Sequence, residues 1–231
     1  MLMYLGVSKY FFITSFLLAI LFIFVPQIDV TVSSLFFTSS EGFFWARQPI
    51  ILFLYAIPKP IVAIAILALI ILIIDLSFKK ILLGIRPLVL FYFVAVMIIG
   101  PGLIVHTLLK DHWGRARPSQ VTEFSGSKKF TPAFVIADQC KSNCSFVCGH
   151  AAGTFGLIPL ALLVQYRRRR LALFAAITVG SLVGLARIIQ GGHFLSDVIF
   201  SFVFVYLTAK ILYTLTFEKH LFDFINKRVS A

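Results

Sequence analysis

His193 and Asp197 stand four residues apart in the segment Gly192-His193-Phe194-Leu195-Ser196-Asp197. On a helix that spacing puts both side chains on one face. A carboxylate placed there can accept a hydrogen bond from one ring nitrogen. That fixes the tautomer and leaves the other nitrogen free to attack. A structural His–Asp pair at a helix start would carry the same spacing, since acids are common there. Two further segments weigh against that plainer reading. Lys110-Asp111-His112-Trp113-Gly114-Arg115-Ala116-Arg117-Pro118 brings fixed positive charge, and Cys144-Ser145-Phe146-Val147-Cys148-Gly149-His150 brings a second imidazole. Arg187, shortly before His193, is a third cation. Arginine offers a planar fork to phosphate oxygens and lysine a compact charge. Gly149 lets the backbone approach an anion closely and present an amide. Three cations, two imidazoles and one carboxylate suit phosphoryl transfer, which needs chiefly positioning and charge stabilisation.

The elements that position these residues follow from composition. Of 231 residues, 60% are hydrophobic and 13% charged, against about 45–50% and ~25% in soluble domains. The apolar excess falls in blocks near the roughly 20 residues that a bilayer crossing needs. Six are read: about Phe11–Pro26, Pro60–Leu76, Leu88–Leu109, Ala151–Tyr166, Leu171–Ile189 and Phe194–Phe217. Gly100-Pro101-Gly102 predicts a kink in the third. Continuous apolar runs predict helices rather than strands, so the expected fold is all-α, a polytopic bundle of six transmembrane helices. The first block lacks a small-residue cleavage pattern and reads as an anchor rather than a signal peptide. No repeat or soluble domain is visible, so residues 1–231 read as one membrane-embedded domain with a motif-bearing core at about 110–197.

The net charge of +12 would suit a nucleic-acid partner, but the basic residues cluster in short loops, so none is expected. Lys79, Lys80 and Arg86 follow block two, Arg167–Arg170 follow block four, and Lys219, Lys227 and Arg228 follow block six. The positive-inside rule puts all three groups, and both termini, in the cytoplasm. The segments 27–59 and 110–149 and the turn at 190–192 then face outward. In the first of these, Leu35, Phe36, Phe37, Phe43, Phe44 and Trp45 fit either an interfacial segment at head-group depth or a loop packed on the bundle. Cys140 and Cys144 form a disulfide if the outer compartment is oxidising and otherwise stay thiols. A zinc site is the poorer reading, because the C-x2-C pair is missing. His106, His112 and His220 have no evident partner. His112 and Arg115 read equally as pocket lining or as surface or structural residues.

Taken in order, the three segments resemble the type-2 phosphatidic acid phosphatase superfamily. Its K-x6-R-P motif is matched by Lys110, Arg117 and Pro118, its P-S-G-H motif in part by Gly149 and His150, and its S-R-x5-H-x3-D motif by Arg187, His193 and Asp197. The resemblance implies a metal-independent phosphatase without cofactor. His193 would be the nucleophile and form a phosphohistidine, oriented by Asp197. His150 would protonate the leaving alcohol and then activate water. Lys110, Arg117, Arg187 and the Gly149 amide would hold the phosphate. Val147-Cys148 replaces the usual Pro-Ser, which puts a weaker thiol donor at that phosphate contact. A cysteine nucleophile is the poorer reading, because His193 and Asp197 already supply one. Ala186 replaces the usual serine before Arg187.

The stretches Gly114–Pro118, Phe130–Ala133 and Asn143–Phe146 are similar to the lipid A phosphatase branch. That likeness implies a membrane lipid substrate, a bacterial inner membrane and a periplasmic site. Undecaprenyl pyrophosphate and phosphatidylglycerol phosphate are alternative substrates, and a non-catalytic lipid transporter is the rival from another class. The sequence separates neither the 1- from the 4′-phosphate nor any oligomeric state.

Overall fold

The computed structural model describes residues 6–226. Lys227 and Arg228 of the third basic group lie outside them. The chain runs through α1 (Lys9–Phe24), α2 (Gln27–Ser34), a two-residue hairpin of β1 (Phe37–Thr38) and β2 (Gly42–Phe43), then α3 (Pro49–Ala56), α4 (Pro58–Phe78) and α5 (Pro87–Met97). A π-wound segment, Ile98–Lys110, prolongs α5, and α6 (Gly149–Phe155), α7 (Ile158–Leu163), α8 (Tyr166–Ile189) and α9 (Leu195–Tyr213) complete the order. Proline opens α3, α4 and α5, where its missing N–H would lack a partner anyway. Pro101 lies inside the π-wound segment. The expected interruption is therefore a change of winding, which accommodates a residue that cannot donate to the preceding turn.

Four helical stretches are long and apolar enough to cross a membrane: Pro49–Phe78, Pro87–Lys110, Tyr166–Ile189 and Leu195–Glu218. The pair α1 and α2, bent by 81° at their junction, makes a fifth when counted as one broken span. The block expected at Ala151–Tyr166 is instead the apolar pair α6–α7, Gly149–Leu163. At ~1.5 Å per residue it is too short to cross a ~30 Å hydrocarbon core unaided. Its Ala151, Ala152, Phe155 and Ile158 are fully buried, so it lies within protein rather than against lipid. Four or five spans thus stand where six were read.

Two other boundaries differ from expectation. Arg167–Arg170 belong to the first turns of α8 rather than to a loop, as the high helix propensity of arginine permits. The aromatic segment after residue 27 is largely ordered. Phe37 and Phe43 pack on each other and on Phe124, at centroid distances of 5.2–5.5 Å. Burial of these rings favours the loop packed on the bundle over the head-group layer, although Leu35 and Trp45 stay exposed.

The main core joins α1, α5, α6, α7, α8 and α9 around Tyr92, Phe146, Phe155 and Phe200. Small residues let helices approach closely. A Cβ on Gly180 would lie 2.3 Å from the Phe155 ring, and one on Gly184 2.2 Å from Val198. Two buried hydroxyls inside the bundle find backbone acceptors, as apolar surroundings favour. The Tyr92 hydroxyl donates to the Ala209 carbonyl at 3.0 Å, and Ser201 to those of Asp197 and Cys148 at 2.7 and 2.8 Å.

Candidate active site

His193 occupies the turn between α8 and α9, with 1% of its surface exposed. Gly191 makes that turn at φ +62°, and a Cβ there would strike the Phe43 ring at 2.4 Å. The His193 Nδ1 lies 2.7 Å from the Ser145 carbonyl. A carbonyl can only accept, so the proton belongs on Nδ1 and the lone pair on Nε2. Asp197 Oδ2 stands farther away, 3.6 Å from Nδ1. The direct imidazole–carboxylate hydrogen bond expected from the four-residue spacing is therefore replaced by a backbone one. The reason is competition for the carboxylate. Asp197 Oδ2 already accepts from the Ser145 hydroxyl at 2.5 Å and from the Phe194 N–H at 2.8 Å, the latter capping α9. Its Oδ1 accepts from Arg115 at 2.6 Å. Burial pushes the His193 ring down to about 4, against the pull of Asp197 and with help from Arg187 and Lys110. The ring is thus neutral at ordinary pH.

The cations arrive from separate elements. Lys110 ends the π-wound segment and donates from Nζ to Asn143 Oδ1 at 2.6 Å. Arg117, in the following loop, donates to the Asn143 carbonyl at 2.8 Å. Asn143 therefore ties two of the three cations together, and the Cys140–Cys144 disulfide encloses it. Arg187 ends α8, 8% exposed, with its guanidinium 5.0 Å from the Tyr55 ring centroid. It donates to the Gln190 side chain, while its buried Nε has no partner. His150 stacks on the same Tyr55 at 4.3 Å and lies within electrostatic reach of Arg187, His193 and Lys110. Gly149 opens α6 at the point where a Cβ would come within 2.9 Å of His106 Nε2 and 3.4 Å of Lys110 Nζ. Cys148 is buried, and burial pushes its thiol up to about 11 although Arg187 and Lys110 pull the other way. It is a protonated thiol at neutral pH, which weighs against a cysteine nucleophile.

All eight residues singled out by sequence spacing thus meet around one end of the bundle. Four others were not singled out. Asn143 and Tyr55 gave no chemical signal. Asp29 is an ionisable residue among apolar ones, a signal that intramembrane position alone could have supplied. Ser145 contributes mainly a carbonyl, which no side-chain motif encodes. Arg115 is fully buried, which settles its ambiguity against a surface position. His106 lines the groove described next. His112 is exposed, with Nδ1 3.0 Å from the Thr107 carbonyl, and His220 pairs with Asp223 at 3.1 Å. Among the described residues no group of three or more His, Cys, Asp or Glu side chains could hold a metal ion.

A groove of about 1070 Å³ opens between α4 and α5 and ends at this cluster. Val62, Ile66 and Leu69 line one wall, Met97, Ile98 and Leu103 the other, and Lys110, Gly149 and His150 lie at its polar end. An apolar channel that terminates in cations fits a molecule with a hydrocarbon tail and an anionic head.

The model of the PAP2 superfamily matches residues 88–221, which contain all eight of these positions. The chain is 48% identical over 130 residues to a lipid A 4′-phosphatase of Francisella tularensis subsp. novicida, covering 55% of this chain and 59% of that protein. It is 38% identical over 120 residues to one of Rhizobium leguminosarum, covering 52% of each. It is 41% identical over 102 residues to one of Rhizobium etli, covering 44% of this chain and 40% of that protein. The chain spans about half the length of the curated relatives it matches. No solved structure matches it. With the family's three motifs gathered around one buried histidine, and the family model covering more than half its length, this chain belongs to the PAP2 superfamily.

Proposed function

We propose that this chain is a membrane phosphatase that removes the 4′-phosphate of lipid A through a phosphohistidine on His193. The observation that carries the reading is a buried, neutral imidazole, fixed at Nδ1, beside cations of which Lys110 lines the polar end of a groove open between α4 and α5. The relatives' names supply the substrate and the position. The lipid enters sideways along α4 and α5, and its phosphate meets Lys110, Arg117, Arg187 and the Gly149 amide. The Nε2 lone pair of His193 attacks phosphorus. The bond to the sugar oxygen breaks, and that oxygen takes a proton from His150, which is protonated once the negative charge of the bound phosphate stands beside it. His150, now neutral, accepts a proton from water. The resulting hydroxide displaces the imidazole from phosphorus and frees inorganic phosphate. The cations and the amide hold the phosphoryl oxygens throughout, which is the main demand of this reaction.

The same reading treats residues 1–231 as one domain in a bacterial inner membrane. The buried α6–α7 pair makes the sixth passage, and both termini and the basic groups at Lys79–Lys80, Arg86 and Arg167–Arg170 lie in the cytoplasm. The site then faces the periplasm, an oxidising compartment that suits the Cys140–Cys144 bond.

The test is phosphate release by the detergent-purified protein, with chelator present, from lipid A, undecaprenyl pyrophosphate and phosphatidylglycerol phosphate. Mass spectrometry of lipid A should show loss of one phosphate from the distal sugar. No release from any of the three would remove the reading and favour a non-catalytic transporter.

Two variants probe the loop around the site. Cys148→Ser is expected to keep or raise kcat/KM, because a hydroxyl is a better donor to phosphate than a buried thiol. A complete loss of activity there would reopen the thiol as nucleophile. Cys140→Ser with Cys144→Ser is expected to raise KM several-fold, because the loop that holds Asn143 against Lys110 and Arg117 is released. The same change should follow addition of reductant to the wild type, and KM unaltered in both would contradict it.

A further inference from the structure

Behind His193 lies a buried polar network that the proposed steps do not use. Asp29, Arg115, Ser145, Ser196 and Asp197 are all fully buried. Arg115 commits every nitrogen. Its Nη1 donates to Asp197 Oδ1 at 2.6 Å and to Ser196 Oγ at 2.9 Å, its Nη2 to Asp29 Oδ2 at 2.8 Å, and its Nε to the Thr131 carbonyl at 2.8 Å. The guanidinium also lies 4.4 Å from the centroid of Phe194, the residue after His193. Asp29, far away on α2, accepts from the Ser196 N–H at 2.8 Å and from its hydroxyl at 2.5 Å. Three separate parts of the chain are thus locked to the first turn of α9.

A buried ion network is weak evidence for stability, because desolvation offsets most of the attraction. It is better evidence for placement. Asp197 has two oxygens and divides them: Oδ1 faces Arg115, and Oδ2 faces Ser145 and the His193 ring. The charge that Asp197 offers His193 therefore depends on how fully Asp29 occupies Arg115, and on the Ser145 hydroxyl. We infer that Asp29, Arg115 and Ser145 are positioning residues that set the orientation of His193 and the share of Asp197's negative charge that reaches it.

The inference rests on the reading of His193 as nucleophile, and the pH profile of the purified full chain tests it. The charged and titratable groups facing His193 are Asp197 on α9, Arg187 on α8, Lys110 at the end of the π-wound segment and His150 on α6. None of these is altered in the variants. Asp29→Asn leaves Arg115 to act on Asp197 alone, so His193 becomes less basic. The acid limb of kcat/KM should move down by about one pH unit, the order of effect of one neighbouring charge. kcat should fall about tenfold, as expected for a less basic nucleophile in a shifted pose, while inorganic phosphate keeps its inhibition constant.

Ser145→Ala keeps the carbonyl and frees Asp197 Oδ2 toward the ring, so the same limb should move up. A merely structural role lowers the yield of active protein without moving either limb. Opposite shifts support the inference. Where one variant fails to fold, the sign of the other decides. Limbs unmoved, or moved in the other sense, overturn it. A wild-type protein that releases no phosphate from any lipid phosphate fails the proposed function instead.

Discussion

Replacing His193 by alanine is expected to bring phosphate release to the uncatalysed background, a loss of at least ~10⁴-fold in kcat, as when a nucleophile is removed from other hydrolases. No other group can take over. Cys148 is held as a thiol because burial pushes it up to about 11. Asp197 has both oxygens committed to Arg115, Ser145 and the Phe194 amide. Those partners also keep α9 capped in the variant, so its thermal unfolding in detergent should stay close to that of the wild type. A second measurement separates a lost nucleophile from a lost fold. Wild type incubated with labelled lipid phosphate and quenched in alkaline detergent should retain label in an acid-labile, base-stable form, and His193→Ala should retain none. The wild-type rate should hold at neutral pH and fall as pH drops through about 4, where the ring takes up a proton and Nε2 loses its lone pair. Full activity in His193→Ala would end the assignment.

Four of the six expected spans, and the gathering of the eight residues at one end of the bundle, were legible in the sequence because each depends on local information. A continuous apolar run declares a helix in lipid, and Lys110, Gly149, His150, Arg187, His193 and Asp197 each stand at or near the end of such a run, at one pole. The supporting residues were not legible, because their partners are remote. Asp29 meets Ser196 across 167 residues and Arg115 across 86. No periodicity announces such a pairing. The four-residue spacing of His193 and Asp197 correctly placed them on one face, yet it could not show that Ser145 would take Nδ1. That depends on where the loop before α6 passes. The short helix α3 was hidden for a different reason. Eight residues between prolines give too little periodicity to separate a helix from a loop, and Tyr55, which carries both His150 and Arg187 on its ring, was hidden with it.

Arg187→Lys is expected to lower kcat/KM by roughly 10²–10³-fold, the range seen when one preorganised donor to a developing charge is lost, and Arg187→Ala by at least as much. Lysine keeps the charge, so the size of the first loss measures geometry rather than electrostatics. Three features make the geometry matter. Nη1 is occupied by the Gln190 side chain. The plane rests on Tyr55. Nη2 lies so close to Gly192 that a Cβ there would be 2.2 Å from it. The guanidinium can hardly turn, and its buried Nε donor is left without an acceptor. An unsatisfied buried donor is costly unless a ligand completes it, and under the proposed function a phosphoryl oxygen is the acceptor that completes this one. Lysine has no such donor and no plane to stack. Gly192→Ala supplies the control: it leaves Arg187 in the sequence but pushes it off its seat, so kcat/KM should fall in the same direction as in Arg187→Lys. Inorganic phosphate should also inhibit both variants less strongly than the wild type. If Gly192→Ala matched the wild type, the fixed pose of Arg187 would have no part in the reaction, and its charge alone would account for its place in the motif.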